Sequence, residues 1–253
     1  MVDYLRGECY KVSHRQYLYI TLAVLMGLEA LLVVLWAWMN GTGGGMAHIA
    51  GADGFSMVAS MLSIGFYASV LMADMVFSEQ YKFNTLKNEV SFGLSRSRIY
   101  LGKLAVEIAV SLAVCLLALV WYGVLCAVLL PGGGDWADAV SRVGFSLAGH
   151  LPVWLGCLGF THMLFFTFRN NTVASFLAVG VTAAAPTVLQ LLAVLVSRRF
   201  LALYGLLYTS PVEDLARHYG DWSVMGRSLA VGLGWFAVST AIGLAVFRKR
   251  EIS

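Results

Sequence analysis

The sequence predicts an all-α membrane protein with six transmembrane helices. Hydrophobic residues make up 59% of its 253 residues and charged residues 12%, about half the charged share of a soluble domain. The mean hydropathy is +0.77. So few charges cannot cover the surface of a soluble globule of this size. The composition therefore excludes a soluble enzyme, and it equally excludes a disordered chain.

Six stretches of the chain are long and apolar enough to cross a bilayer, which takes about 20 residues in a helix. None of them alternates with the period of two that is typical of a barrel strand. We therefore predict one transmembrane domain over residues 1–253. Its spans lie near residues 17–39, 55–77, 103–130, 145–167, 171–197 and 226–247.

The lysines and arginines predict the orientation of these spans. With six spans, both termini lie on one side, and 12 of the 17 Lys and Arg residues fall on that side. We therefore predict that the N- and C-termini are cytoplasmic. The basic residues form no stripe with interleaved aromatic residues, so the predicted partner is membrane lipid and not nucleic acid.

The N-terminal segment, residues 1–16, has apolar residues at helical spacing. These are Val2, Leu5, Cys9 and Val12, with basic residues among them. The pattern predicts a short interfacial elbow helix on an anionic membrane surface. A solvated leader whose charges only set the topology fits the pattern equally well.

The polar loop between spans two and three, residues 78–99, contains a second amphipathic stretch. Phe83, Leu86, Val90 and Leu94 recur at spacings of three and four, which puts them on one helical face. Gly93 predicts a break, and Ser95 is a suitable N-cap for the next helix. The helix suits docking of another protein, and the alternative is an interfacial helix that only anchors the loop.

The outer loop, residues 198–222, mixes apolar and charged residues. Its first half is apolar enough to lie in the membrane interface or to re-enter the membrane, and the sequence leaves both open.

Three carboxylates fall within or at the ends of predicted spans, where ionisable groups are costly. Glu29 lies near the middle of span one, with no basic residue at its depth. It either lines a route for a substrate or cation between helices, or it is protonated and hydrogen-bonded within the bundle in a structural role. Asp74 and Glu107 lie near the inner ends of spans two and three, and we expect them to form a salt-bridged hinge with Lys103.

The chain carries no motif of an enzyme that cleaves bonds or binds nucleotides. It has no H-E-x-x-H, no G-x-S-x-G and no G-x-x-x-x-G-K-[ST]. Glu29 with His162 is the only pair that an intramembrane enzyme could use. We therefore predict no catalytic residue, no metal and no cofactor bound by this chain.

The loop after span two also carries a family resemblance. It contains Phe77 and Glu79, then Thr85-Leu86-Lys87, Ser95-Arg96-Ser97-Arg98 and Gly102-Lys103. In this order, the loop resembles that of the type-2 ABC exporter permeases. It is most similar to the small permeases of bacteriocin-immunity and peptide-antibiotic efflux systems. The six spans, the length and the leader with Glu8 and Lys11 fit the same family.

The resemblance implies a transport subunit that works with two cytoplasmic ABC ATPase subunits, which bind the ATP and Mg, and with a second permease copy or a sister permease. It implies export of an amphipathic antimicrobial peptide or a hydrophobic drug across a bacterial plasma membrane. The alternatives are an intramembrane enzyme and a non-transporting scaffold or sensor subunit. The residues that match the family's ATPase-coupling region are Glu8, Lys11, Glu79, Thr85, Lys87, Arg96 and Lys103.

Overall fold

A computed structural model describes residues 2–42, 48–77 and 85–249 of the chain. The described residues form helices and connecting turns, with no strand among them. The helices are α1 Val2–Ser13, α2 Gln16–Thr42, α3 Gly51–Ser56, α4 Val58–Met61, α5 Gly65–Phe77, α6 Thr85–Ser91, α7 Arg96–Leu129, α8 Trp136–Thr167, α9 Asn171–Leu195, α10 Phe200–Leu206, α11 Val212–Arg217 and α12 Trp222–Lys249, with a 3₁₀ turn at Leu62–Ile64 between α4 and α5.

The predicted set of six membrane spans is confirmed. Within the described ranges, six helical segments are long and apolar enough to cross a bilayer. They are Gln16–Thr42, Gly51–Phe77, Arg96–Leu129, Trp136–Thr167, Asn171–Leu195 and Trp222–Lys249. The fourth span, α8, is the most buried of the six and forms the centre of the bundle.

Close packing of α12 against α8 holds this centre together, and it depends on glycine. A Cβ on Gly232 of α12 would lie 2.3 Å from the carbonyl carbon of Pro152, and a Cβ on Gly156 of α8 would lie 2.8 Å from the oxygen of Gly232. Gly149 of α8 also accepts a hydrogen bond from the Ser228 hydroxyl of α12. Small residues let the two backbones touch, which is how helices associate in a membrane without a hydrophobic driving force.

The second span is interrupted halfway along its length, where α3 gives way to α4, the 3₁₀ turn and α5. Neighbouring spans donate side-chain hydrogen bonds to the carbonyls around this break. The Tyr122 hydroxyl bonds the oxygen of Gly54 at 2.8 Å, and the Trp154 indole bonds that of Leu62 at 3.2 Å. Such bonds are required because a lipid environment offers no water to satisfy exposed backbone groups.

The outer segment after α9 folds back on the bundle. The short helix α10 packs against α9, and α11 packs against α8 and α12. Between them, Tyr208 is buried and its hydroxyl lies 2.6 Å from that of Thr182 in α9. The packing fixes this segment to the bundle, while its depth in a membrane stays a prediction.

Helix α1, near the N-terminus, and the last turn of α12, near the C-terminus, lie at one end of the bundle, which we call the termini end. Helix α1 packs against α7 near its start. The Arg96 guanidinium at the start of α7 donates to the carbonyls of Phe247 and Arg248 at 3.1 and 2.6 Å, and so caps the last turn of α12. The location of the termini end on the cytoplasmic side of the membrane stays a prediction.

The contact between α8 and α12 yields a test of the fold. Gly232→Val should destabilise the protein by about 1–3 kcal/mol or more, because the added atoms collide with the backbone of α8. Gly234→Val is the matched control, since a Cβ at that position meets nothing within 4 Å. Thermal unfolding in detergent, followed by size-exclusion chromatography, compares the two variants. Equal melting temperatures would contradict the glycine contact.

Candidate functional site

An ion-pair cluster around a fully buried cation lies at the termini end. Its centre is Lys103 on α7, whose side chain is 0% exposed. The Lys103 ammonium lies 3.1 Å from Oε2 of Glu8 on α1 and 3.2 Å from Oε1 of Glu89 on α6. One buried cation therefore joins three helices, although the first two membrane spans separate α1 from α6 along the chain.

Two more α1 side chains complete the arrangement. Lys11 lies 2.6 Å from Oε1 of Glu8 and 3.8 Å from Oε1 of Glu89. The Tyr4 hydroxyl donates to Oε2 of Glu89 at 3.1 Å. We call Glu8, Lys11, Glu89 and Lys103 the four-charge cluster. Two carboxylates and two ammonium groups balance in charge, so the cluster can be buried without a net charge.

The local sequence allows α1 to approach α7 this closely. Gly102 precedes Lys103, and a Cβ at Gly102 would lie 2.5 Å from the Tyr4 ring. The packed face of α1 carries Leu5, Glu8 and Val12. Two residues of the predicted apolar face, Val2 and Cys9, are exposed instead. Glu8 faces the bundle, and the interfacial position of α1 on a membrane surface stays a prediction.

Electrostatics stabilise the charged form of Glu8. Burial by itself raises the pKa of this carboxyl, but the ammonium groups of Lys103 and Lys11 outweigh burial and hold the pKa below its ordinary value. Glu8 is therefore an ionised partner of Lys103 at neutral pH.

Helix α6 presents one apolar face to the bundle and one face to solvent. Leu86 is buried, and Val90 and Leu94 pack against the same core, as the spacing predicted. Gly93 has φ +85° and ends the helix, a backbone conformation that suits glycine. On the other face Lys87 is exposed, and the side chain of Phe92 is 87% exposed. Phe92 directly follows the last residue of α6, and an exposed aromatic side chain is of the type that is enriched in protein interfaces.

The structure brings together Glu8, Lys11 and Lys103 of the predicted coupling residues, and leaves others apart. Thr85 begins α6, Lys87 is exposed on it, and Arg96 caps α12. Glu79 lies outside the described residues, as does Phe83 of the predicted apolar face.

Glu89, which completes the cluster, was missed by sequence reasoning. It follows Leu86 by three residues and so shares the buried face of α6. A carboxylate on a buried helical face requires a cation nearby. This pattern in the sequence could have identified Glu89 as a member of the cluster.

The expected salt bridge from Glu107 or Asp74 to Lys103 is wrong. Glu107 instead lies 2.7 Å from Nδ1 of His162, and both side chains are 0% exposed. The Nε2 of His162 lies 3.1 Å from the carbonyl oxygen of Tyr100. A carbonyl oxygen only accepts hydrogen bonds, so Nε2 of His162 carries a hydrogen. One further proton is shared between Nδ1 and the Glu107 carboxylate. The pair is neutral overall whether that proton is on the histidine or on the glutamate.

This geometry also separates His162 from Glu29, the pair that an intramembrane enzyme would have needed. Both ring nitrogens of His162 are engaged by Glu107 and the carbonyl of Tyr100. No group of three or more metal-binding side chains occurs in the described ranges. Asp74 accepts a hydrogen bond from Asn171 at 3.1 Å, which links α5 to α9.

Comparison with known proteins places this arrangement in a family. A family model described as ABC-2 family transporter protein matches residues 4–185. This range contains all four residues of the four-charge cluster, the first four spans and part of the fifth. The chain belongs to the ABC-2 family of transporter proteins. A search of curated proteins finds no match.

Membership identifies the chain as a multi-pass membrane protein and as the permease subunit of an ABC system. ABC-2 permeases generally work with cytoplasmic ABC ATPase partners, and a bacterial plasma membrane is their usual location. The predicted resemblance to type-2 ABC permeases is thereby confirmed at the level of the family.

Lys103→Met tests the four-charge cluster. The substitution keeps the volume but leaves two carboxylates without their buried cation, which costs about 3–5 kcal/mol. Lys87→Met is the matched control, because Lys87 is exposed on α6. Thermal unfolding of both purified variants measures the difference. A Lys103→Met variant as stable as the control would contradict the cluster's role.

The lowered pKa of Glu8 predicts a pH dependence. A carboxyl whose folded pKa is depressed contributes stability that is present above its unfolded pKa, here 4.5, and that is lost as the pH falls through the folded pKa. At neutral pH the wild type should therefore be more stable than Glu8→Gln. The difference should shrink steadily below about pH 4.5, because a protonated glutamate resembles glutamine. A difference that stays constant down to about pH 3 would contradict this assignment.

Proposed function

We propose that this chain is the permease of an ATP-driven ABC exporter and that the four-charge cluster couples the ATPase to the spans. The observation that supports it is the buried Lys103, which ties α1 and α6 to the first turns of α7. In this proposal the ATPase docks on the termini end, and its motion enters the membrane through α7.

The energetics of burial favour transmission of movement through this cluster. Moving α6 or α1 away from α7 would take one of its two carboxylates from the buried Lys103, and breaking a buried pair is strongly unfavourable. The two short helices and the start of α7 therefore move together. Helix α7 has 34 residues, about 51 Å at 1.5 Å per residue, so it carries such a movement from the termini end to the far side.

The exposed face of α6 is the proposed docking surface. Lys87 and Phe92 supply a cation and an apolar ring next to the four-charge cluster. Aromatic residues are enriched in the centres of protein interfaces. We include Thr85, the first residue of α6, in the same surface, and the family resemblance assigns Glu79 to ATPase coupling as well.

The chain itself has no Walker A motif. We therefore propose that ATP and Mg bind to two cytoplasmic ATPase subunits, and that two permeases, identical or sister chains, complete the exporter. The resemblance of the loop to small peptide-antibiotic efflux permeases suggests the cargo. We propose an amphipathic antimicrobial peptide or a hydrophobic drug, moved out of the cell or the membrane.

The coupling proposal is tested by pushing α1 away from α7. Gly102→Leu adds a side chain where the Tyr4 ring lies, whereas Gly7→Leu adds one on α1 itself, where nothing lies within 4 Å. The permease is purified with the ATPase that accompanies it and reconstituted in nanodiscs. Gly102→Leu should lower the ATP hydrolysis that depends on the permease several-fold, while Gly7→Leu leaves it unchanged.

Membrane insertion and the elution profile serve as controls for folding in both variants. If a well-folded Gly102→Leu variant supports ATP turnover at the wild-type rate, the contact between α1 and α7 has no part in coupling. If no ATPase accompanies the wild-type chain in any mild detergent, the exporter proposal itself fails.

A further inference from the structure

A cavity of about 320 Å³ lies inside the membrane region, between α2, the interrupted second span, α7 and α8. Aliphatic and aromatic side chains form most of its walls, and Glu29 of α2 is the one acidic or basic residue of the described ranges that lines it. A volume of this size lies in the range of small-molecule sites, about 300–1,000 Å³. The cavity is therefore suited to a drug-sized molecule and is too small for a folded peptide.

Two polar groups in this cavity have no partner in the described part of the protein. The Oε2 atom of Glu29 is buried without a hydrogen bond, and so is the hydroxyl of Ser111 on α7. Buried polar groups are ordinarily hydrogen-bonded, and an exception requires an explanation. No lysine or arginine among the residues that the structure describes lines the cavity, so a carboxylate here lacks the counterion that Glu8 and Glu89 have.

The interrupted backbone of the second span borders the same cavity. Leu62, Ile64 and Gly65, at the midpoint of the span, line it opposite Glu29, which is itself midway along α2. The ring of Trp154 lies so close to Gly65 that a Cβ there would meet it at 2.2 Å. Irregular backbone at membrane depth is tolerated only where protein covers it or where it lines a cavity. The break therefore marks this cavity as a built feature of the fold.

We propose that this cavity binds a lipophilic organic cation, with the cation's charge at Glu29 and its apolar body against the aliphatic walls. Trp154 adds an aromatic surface, to which cations are attracted. One carboxylate and one hydroxyl without a partner are too few oxygen ligands for Ca²⁺ or Mg²⁺, since the hydroxyls of Ser69 and Tyr122 already bond backbone carbonyls. A monovalent organic cation, by contrast, needs one counterion and an apolar pocket. The proposal rests on the proposed function and deepens it by naming a substrate class. Binding of such a cation can be measured without the ATPase.

Tritiated tetraphenylphosphonium is the probe, and its binding to the purified full-length chain in detergent is measured by scintillation proximity. The wild type should bind it saturably, and neutral triphenylphosphine oxide should not displace it at equal concentration. Glu29→Gln should weaken binding by about tenfold or more, the scale of a charge-assisted contact. Asp138→Asn is the matched control, because this exposed acid pairs with Arg142 away from the cavity.

A second variant tests the cavity without touching its charge. Ala68 lines the cavity, so Ala68→Phe should fill it and abolish saturable binding while Glu29 remains. Size-exclusion profiles and melting temperatures verify folding of each variant. Unchanged binding by Glu29→Gln or by Ala68→Phe would overturn the proposal, as would equal losses in Glu29→Gln and Asp138→Asn, or a wild type that does not bind saturably. None of these results alters the test of ATPase coupling, so the two proposals fail separately.

Discussion

The structure at the termini end depends on one interaction, the buried ammonium of Lys103 between Glu8 and Glu89. Removing the charge from water is costly, and only the two carboxylates in place offset that cost. The interaction holds the side of α1 that carries Glu8 against α7, and Gly102 leaves room there for the Tyr4 ring. It also brings two short helices, which are separated by about 70 residues of chain, into one unit with α7.

The same rule governs the membrane interior, where charges are tolerated in neutral combinations. Glu107 is neutralised with His162 one helical turn beyond Lys103 on the same helix. The long helix α7 thus carries two balanced ionic groups near one end and a long apolar stretch beyond them. Glu29 departs from this rule, because no basic side chain of the described residues lines its cavity and its buried Oε2 has no hydrogen bond. Glu29 is thus an unbalanced charge at the depth where the second span is interrupted. For this reason we connect Glu29 with a bound ligand.

The sequence was sufficient for the six spans because a bilayer requires long apolar helices, and composition reports them directly. It also identified the buried face of α6 from the spacing of Leu86 and Val90, since helical periodicity is local. It could not pair Glu107 with His162, which are 55 residues apart, because no periodic pattern encodes contacts between distant spans. The break in the second span was missed for a similar reason. The carbonyls at the break are stabilised by Tyr122 and Trp154 from other helices.

Site-specific photo-crosslinking from α6 tests the central claim, that the ATPase acts on the termini end, most directly. A photoreactive phenylalanine analogue replaces Phe92, which is exposed beside the four-charge cluster, and a second variant carries it at Leu206, which is exposed at the opposite end. After irradiation in the native host, mass spectrometry identifies the captured proteins. We predict capture of a soluble protein with a Walker A motif at position 92 and none at position 206. Capture of that protein at position 206 alone, or at neither position, would contradict the claim.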